Sequence, residues 1–277
     1  MRILLSTLAF SNPNLLDRCI SSWPRNIDRC VLWQGMDIQS DAINEVIKKQ
    51  QNNRNIKYLI RRKNNWGFSG GCNILMRHAF IIHTYDALVI TGSDTMFNDG
   101  FWNSFTKQTE NFDFVESSHQ FNCFYMTRYA WIKAGYFDEN FFPSYVEDDD
   151  YRIRVIKSGI RYKQSNEDPN LLTHFGSATV KLNPMYQLKS RRSFELNKEY
   201  MHRKWGGIQN SIPKWKPEFE TPFNDPHWPL DRWILEPERR KKQLWHNIIE
   251  DDGDPRIMSL VHALECPETF SYHDSTY

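Results

Sequence analysis

The sequence predicts an α/β fold, a mostly parallel central sheet with helices on both faces, followed by a helical C-terminal extension. Three observations predict it. Short apolar runs alternate with stretches of helical periodicity from residue 3 to residue 91, the signature of strand–helix–strand units. The run at 87–91 is apolar up to Thr91, as a strand covered on both faces must be nearly throughout, and passes directly into Gly92-Ser93-Asp94. After Pro184 the pattern changes to a long charged helix.

Taken in order, residues 3–7 form a first strand. Asn12-Pro13 then reads as an N-cap with Pro at the first helical position, with Leu15, Leu16, Cys19, Ile20 and Trp23 at helical spacing behind it. Residues 29–33 are a second strand. Ala42, Ile43, Val46 and Ile47 mark a second helix, and Ile56, Tyr58 and Ile60 alternate as a third strand. Residues 64–73, NNWGFSGGCN, read as a glycine-rich loop ahead of a helix through Leu75, Met76, Ala79, Phe80 and Ile82. Residues 87–91 and 122–126 are further strands, 131–134 a short helix and 185–205 a long one. A Pro- and Trp-rich segment, 212–237, resists regular assignment before a last helix at 239–249. The domains expected are a core of residues 1–180 and a Trp-rich helical extension of 181–277.

Composition restricts the setting. The chain has 277 residues, 40% hydrophobic and 25% charged, with a formal charge of +1, so no global field argues for a nucleic-acid partner. No apolar run approaches the roughly 20 residues that span a bilayer, and MRILLSTLAF reads as a strand, not a signal peptide. The five cysteines, Cys19, Cys30, Cys72, Cys123 and Cys266, are scattered and lack CxxC spacing, which favours free thiols in a reducing compartment. A cytoplasmic protein without a transmembrane segment is expected.

The residues with chemistry cluster late in the first 180. In residues 135–159, GYFDENFFPSYVEDDDYRIRVIKSG, four carboxylates, Glu147, Asp148, Asp149 and Asp150, follow Phe137, Phe141, Phe142 and Tyr145. Like charges packed beside apolar rings favour a carboxylate tuned to accept a proton; the same run also suits an acidic helix N-terminus. Gly67, Gly70 and Gly71 ahead of a helix offer backbone amides to an anion such as a diphosphate, or simply a tight turn. Asp94 stands at a strand's carboxyl end, where ligands gather in such sheets, and could bind a cation or cap a turn. His174, in THFGSAT, is either a hydrogen-bonded structural imidazole or a ligand. One carboxylate and one imidazole would suit Mn2+ or Mg2+ sharing its other positions with phosphate and water.

The order of these pieces closely resembles the family 2 glycosyltransferases of the GT-A fold, particularly the rhamnosyltransferase-like branch. That family's Asn-x-Gly-Phe-(Ala/Ser)-Gly-Gly-x-Asn is matched by residues 65–73. Its Gly-x-Phe-Asp-Glu-x-Phe-Phe and Glu-Asp-x-Asp-aromatic-x-x-Arg are matched by 135–142 and 147–154. The resemblance runs from residue 1 to about 177, with a weaker echo in YMHRKWGG at 200–207. It implies a Rossmann-like core and inverting transfer of a sugar from a nucleotide-sugar to an acceptor hydroxyl. It also implies a divalent cation, Mn2+ or Mg2+, and gives Asp148 the role of general base. Thr7, Asn65, Gly67, Phe68, Gly70, Gly71 and Asp94 would face the donor, with Asp94 and His174 as metal ligands. The family's first metal-motif Asp is Gly92 here, so the metal would rest on Asp94, His174 and the diphosphate; the Asp-Asn-x-Ser expected after the second strand is replaced by WQGMD at 33–37.

Glu147 and Trp205 are assigned to the acceptor side. Residues 181–204 hold seven Lys or Arg against Glu195 and Glu199. With Trp205 and the cationic run 239–242 they could hold a polyanion, because cations interleaved with aromatics are how proteins grip nucleic acid. The acceptor is therefore a saccharide or a hydroxylated or hydroxymethylated DNA base. A non-catalytic binding module is the remaining alternative.

Overall fold

The computed structural model describes residues 1–34, 40–62, 65–176, 178, 181 and 184–205. Among them β1 (Ile3–Ala9), β2 (Asp28–Gln34), β3 (Tyr58–Arg62), β4 (Ala87–Gly92), β6 (Phe114–Ser117), β7 (Gln120–Thr127) and β8 (Tyr162–Gln164) form one sheet, ordered β3-β2-β1-β4-β7-β6-β8. The first four strands are mutually parallel, β7 runs antiparallel between β4 and β6, and β8 lies parallel to β6. The expected mostly parallel sheet is present, with one antiparallel strand in its middle.

Helices cover both faces, as the two-sided burial of the strands requires. On one side α1 (Pro13–Ser21), α2 (Ser40–Asn52) and α4 (Phe101–Thr109) bring Leu16, Ile20, Ile43, Ile47, Phe101 and Phe105 onto Leu5, Val31 and Val89. On the other, α3 (Gly67–Arg77), α5 (Arg128–Ala134) and α6 (Glu147–Lys157) pack Leu75, Trp131 and Tyr151 onto Leu4, Leu32 and Phe124. The long helix α7 (Pro184–Trp205) lies outside α6, and its Tyr200, Met201 and Trp205 close a third apolar cluster with Phe141, Phe142, Val146 and Ile153. A two-stranded ribbon of β5 (Thr95–Phe97) and β9 (Leu172–His174) stands beside the sheet.

Two local expectations are corrected. Pro13 does open α1, but Asn12 sits in the left-handed region (φ 58°) and its side chain makes no cap hydrogen bond. The glycine-rich stretch is not a loop preceding a helix: Gly67, Gly70 and Gly71 lie inside α3. Low intrinsic propensity is overridden there by close packing. A Cβ on Gly71 would stand 2.6 Å from Leu8 Cδ2, and one on Gly67, whose φ is +72°, 2.6 Å from the Pro143 carbonyl oxygen. The glycines let the helix settle onto β1 and onto the chain at 142–143. The Trp-rich segment 212–237, the last helix at 239–249 and the cationic run 239–242 lie outside the described residues.

Candidate active site

At the carboxyl end of the parallel strands, β4 finishes at Gly92 and the chain turns into the ribbon. Register pairs Thr95 with His174, which carries the imidazole across to Asp94: His174 Nε2 lies 3.5 Å from Asp94 Oδ2. Burial pushes the Asp94 carboxyl up, but His174 and the Ala178 N–H, which donates to Oδ2 at 3.2 Å, outweigh it and hold the group below the usual carboxylate value. The other imidazole nitrogen, Nδ1, lies 3.0 Å from the Asn122 amide nitrogen. With that NH2 donating, the ring proton sits on Nε2 facing Asp94, and ligation through Nε2 requires the amide turned over so that its oxygen accepts from Nδ1–H.

An ionised hard oxygen and an oriented imidazole are a donor set suited to a divalent cation. They are only two, and among the described residues no group of three or more His, Cys, Asp or Glu is placed to enclose a metal. The pair therefore fits a cation shared with a ligand's oxygens, not a closed protein cage. At Gly92 a Cβ would stand 2.9 Å from Asp94 Oδ1 and 3.1 Å from Thr95 Oγ1. A second carboxylate two positions ahead of Asp94 would have to displace it.

The four consecutive carboxylates occupy the first turn of α6, and the fold gives each a different environment. Asp150 is fully buried: Lys204 Nζ lies 2.9 Å from Oδ1, Trp205 Nε1 donates to the same oxygen at 2.8 Å, and Arg154 stands on Oδ2. Burial opposes ionisation, yet Lys204 and Arg154 hold Asp150 below its ordinary value. Asp149 pairs with Arg152 Nη1 at 2.9 Å, and Arg152 forks onto the buried Glu116 with two bonds of 2.8 Å. The fork outweighs the burial of Arg152 and keeps it charged.

Asp148 is only half-buried. Burial pushes its carboxyl up, and the Arg152 charge opposes that rise. Glu147 is 5% exposed, its Oε2 is a buried oxygen without a hydrogen-bond partner among the described residues, and burial with the Asp148 charge pushes it well above the ordinary value. Of the four, Asp148 is the carboxylate that combines partial exposure, a raised affinity for protons and, among the described residues, no ion-pair partner of its own.

The segment leading into α6 is tied to the glycine-bearing helix. Phe68 N–H donates to the Pro143 carbonyl at 2.8 Å, and Ser69 Oγ to Phe141 O at 3.4 Å. Asn73 receives the Phe137 N–H and donates to both Phe137 O and Glu139 Oε1. Gln34, at the end of β2, donates through Nε2 to Gly67 O at 3.0 Å and accepts the Trp66 N–H at 3.3 Å, while Asn65 Oδ1 accepts the Gly67 N–H at 2.9 Å. Residues 65–71 and 141–150 are thus one contiguous structure.

Several sequence expectations change. Thr7 is not at a strand end: β1 continues to Ala9, and the fully buried Thr7 hydroxyl donates to Thr91 O at 2.7 Å. Gly67, Gly70 and Gly71 are buried packing positions. Trp205 is 0% exposed with its indole N–H on Asp150, so it offers no surface to an acceptor. Lys204, counted in the basic stretch, is spent inside on Asp138 and Asp150. Sequence reading gave no role to Gln34, Glu116, Asn122, Arg152 or Asn197; only the three-residue spacing of Asp149 and Arg152 on a helix signals any of them. A cavity of about 470 Å³ lined by Arg25, Arg29, Asn53, Arg54 and Asn55 lies at the opposite, amino end of β2 and belongs to none of this.

The Asp94–His174 pair and Asp148 sit on one α/β scaffold, and over part of its length the sequence is similar to a glycosyltransferase. The similarity is to a galactofuranosyl glycosyltransferase of Leishmania donovani, 30% identical over 159 residues, 50% of this chain and 36% of that protein. The chain thus spans about a third of the length of that curated relative. No family model matches the chain. Among solved structures, the Drosophila β1,4-galactosyltransferase 7 is loosely similar. A mutant in complex with manganese, UDP-Gal and xylobiose gives a TM-score of 0.43 at 7% identity, over 65% of this chain and 74% of that one. The catalytic domain with xylobiose gives 0.40 at 7% identity, over 65% and 73%.

Proposed function

We propose that this chain is an inverting, metal-assisted glycosyltransferase of the GT-A type, moving a sugar from a nucleotide-sugar to an acceptor hydroxyl. The observation that carries it is the separation of roles within the first turn of α6. Three carboxylates are neutralised or sealed in, and Asp148 remains partly exposed with its proton affinity raised, in a chain with stretchwise similarity to a galactofuranosyl glycosyltransferase.

Asp148 takes the proton from the acceptor hydroxyl as its oxygen attacks the anomeric carbon. The bond to the nucleoside diphosphate breaks on the opposite face, so a single displacement inverts that carbon, the logic of inverting glycosidases. Asp94 and His174 would hold Mn2+ or Mg2+ against the diphosphate, where a cation offsets the charge of the leaving group. Within 65–71 the half-buried Asn65 and Phe68 are the side chains that would border the donor. The acceptor is a saccharide on this reading. Burial of Lys204 and Trp205 removes two of the groups that a DNA acceptor would have used. Among the described residues no helix is long and apolar enough to cross a membrane.

The test is a thermal-shift series with UDP-, GDP- and dTDP-sugars, a galactofuranosyl donor first, each with and without Mn2+. A donor at ~100 times its dissociation constant adds about 2.7 kcal/mol to stability, so the expected result is one donor raising the melting temperature only when Mn2+ is present. No shift with any donor would overturn the donor site.

A pH profile tests the electrostatics. Asp148 is competent only when ionised, and its value is raised, so kcat/KM falls as pH drops through a limb above the ordinary carboxylate range. Arg152→Gln removes the charge that opposes the rise, and the limb moves to higher pH. An unmoved limb would mean that Arg152 does not act on the titrating group.

A further inference from the structure

Resting on the reading of Asp148 as base, we propose that Asn197, on α7, is a positioning residue that fixes how α6 presents Asp148. The chain from Phe141 to Val146 runs between two helices. On one side α3 holds it through Phe68 and Ser69. On the other, the Asn197 side-chain amide nitrogen donates to two successive carbonyls, Ser144 O at 3.1 Å and Tyr145 O at 2.9 Å.

The backbone being held is an uncommon one. Tyr145 and Val146 both lie in the left-handed region, with φ of 79° and 75°, and a β-branched residue there is a true outlier. Such a pair persists only where its surroundings over-determine it. Val146 is the N-cap of α6, without a side-chain cap bond, and its carbonyl accepts the Asp150 N–H at 3.1 Å to begin the helix. Glu147 and Asp148 follow immediately, so the direction in which the Asp148 side chain leaves α6 is set by the conformation at 145 and 146.

Asn197 is placed at a cost that a filler would not carry. It is 0% exposed, both amide hydrogens go to the two carbonyls, and its Oδ1 is buried without a partner among the described residues. Turning the amide over would set Oδ1 against two carbonyl oxygens, so the orientation is fixed by this duty. Lys204 and Trp205 reach Asp150 from the same helix, but they anchor the end of the first turn; Asn197 anchors its entry.

The experiment compares Asn197→Ala, the near-isosteric Asn197→Asp and Asp148→Asn. The readout is hydrolysis of the nucleotide-sugar that the thermal-shift series identifies, with water as acceptor, expressed per donor-binding site. A misplacement of about 1 Å costs about a hundredfold in rate, so N197A and N197D should each lose about that factor in kcat with KM for the donor nearly unchanged. A crystal structure of N197A should show residues 145 and 146 leaving the left-handed region. A role in stability alone would lower the melting temperature and leave kcat per site intact, which overturns the proposal, as does a left-handed pair that persists in N197A. If N197A does not fold, N197D decides by the same two readouts. Full activity in D148N would sink the base assignment itself, whereas an inactive D148N beside unchanged N197A and N197D overturns only the role of Asn197.

Discussion

Asp148→Asn is expected to lower sugar transfer by about two to four orders of magnitude, the usual contribution of a positioned general base, while leaving the donor's metal-dependent stabilisation intact. The change is nearly isosteric and, among the described residues, the carboxylate has no ion pair of its own; its Oδ1 accepts the neighbouring Asp149 N–H at 3.0 Å, a bond that an amide oxygen can also accept. The fold should therefore persist. Removing one negative charge also relieves the pressure on Glu147, whose value is raised by burial and then by Asp148. The variant should be at least as stable as the parent near neutral pH. Steady-state transfer and donor titration on the same preparation separate the two effects, and full activity would remove Asp148 from the mechanism.

Lys204→Met is expected to have the largest effect on stability, about 3 to 5 kcal/mol, the scale on which one partner of a buried ion pair is missed. The ammonium lies 2.7 Å from Asp138 Oδ2 and 2.9 Å from Asp150 Oδ1, with all three side chains essentially inaccessible. Methionine fills the volume and leaves two buried carboxylates facing each other. Asp150 retains Arg154, and Asp138 retains the Tyr200 hydroxyl at 2.6 Å.

The pH dependence of that loss follows from the direction of the shifts. Burial, with the Asp150 charge, already raises Asp138 against the pull of Lys204, and the substitution raises it further. A group whose folded value is raised stabilises below its unfolded value and loses that contribution as pH rises through the folded one. The deficit of K204M should therefore shrink as pH falls toward the ordinary carboxylate value and be largest at neutral pH. Chemical denaturation at several pH values measures it; a deficit under 1 kcal/mol at neutral pH would mean that the network is not held as described.

The parallel half of the sheet was legible because β1, β2 and β4 are long and apolar enough for alternation with helices to register. β5, β8 and β9 are three residues each, below the length at which periodicity speaks, and so was the ribbon that brings His174 to Asp94. The glycines of α3 misled because their reason lies in Leu8, Gln34 and Pro143, residues distant in sequence. In the candidate site, the acidic run was visible but its division of labour was not. Asp150 and Arg154 are four residues apart, which local spacing can suggest. The cation that sorts Asp150 from Asp148 arrives from Lys204, and nothing local signals it. Trp205 looked like a ligand-facing aromatic because composition does not distinguish an exposed ring from one that closes a core.

The ion network around Lys204 also sets the order in which the protein can be made. Asp138 and Asp150 leave the ribosome well before their shared ammonium, and at 5–20 residues per second the 54 residues from Asp150 to Lys204 take about 3 to 11 s to follow. Until then the acidic turn of α6 has Arg154 but neither Lys204 nor the indole of Trp205, and its carboxylates remain better off in water than in the core. The nascent sheet can assemble early, whereas the wall that carries Asp148 closes only after α7 has emerged. A chain cut at residue 180 would be held permanently at that earlier stage.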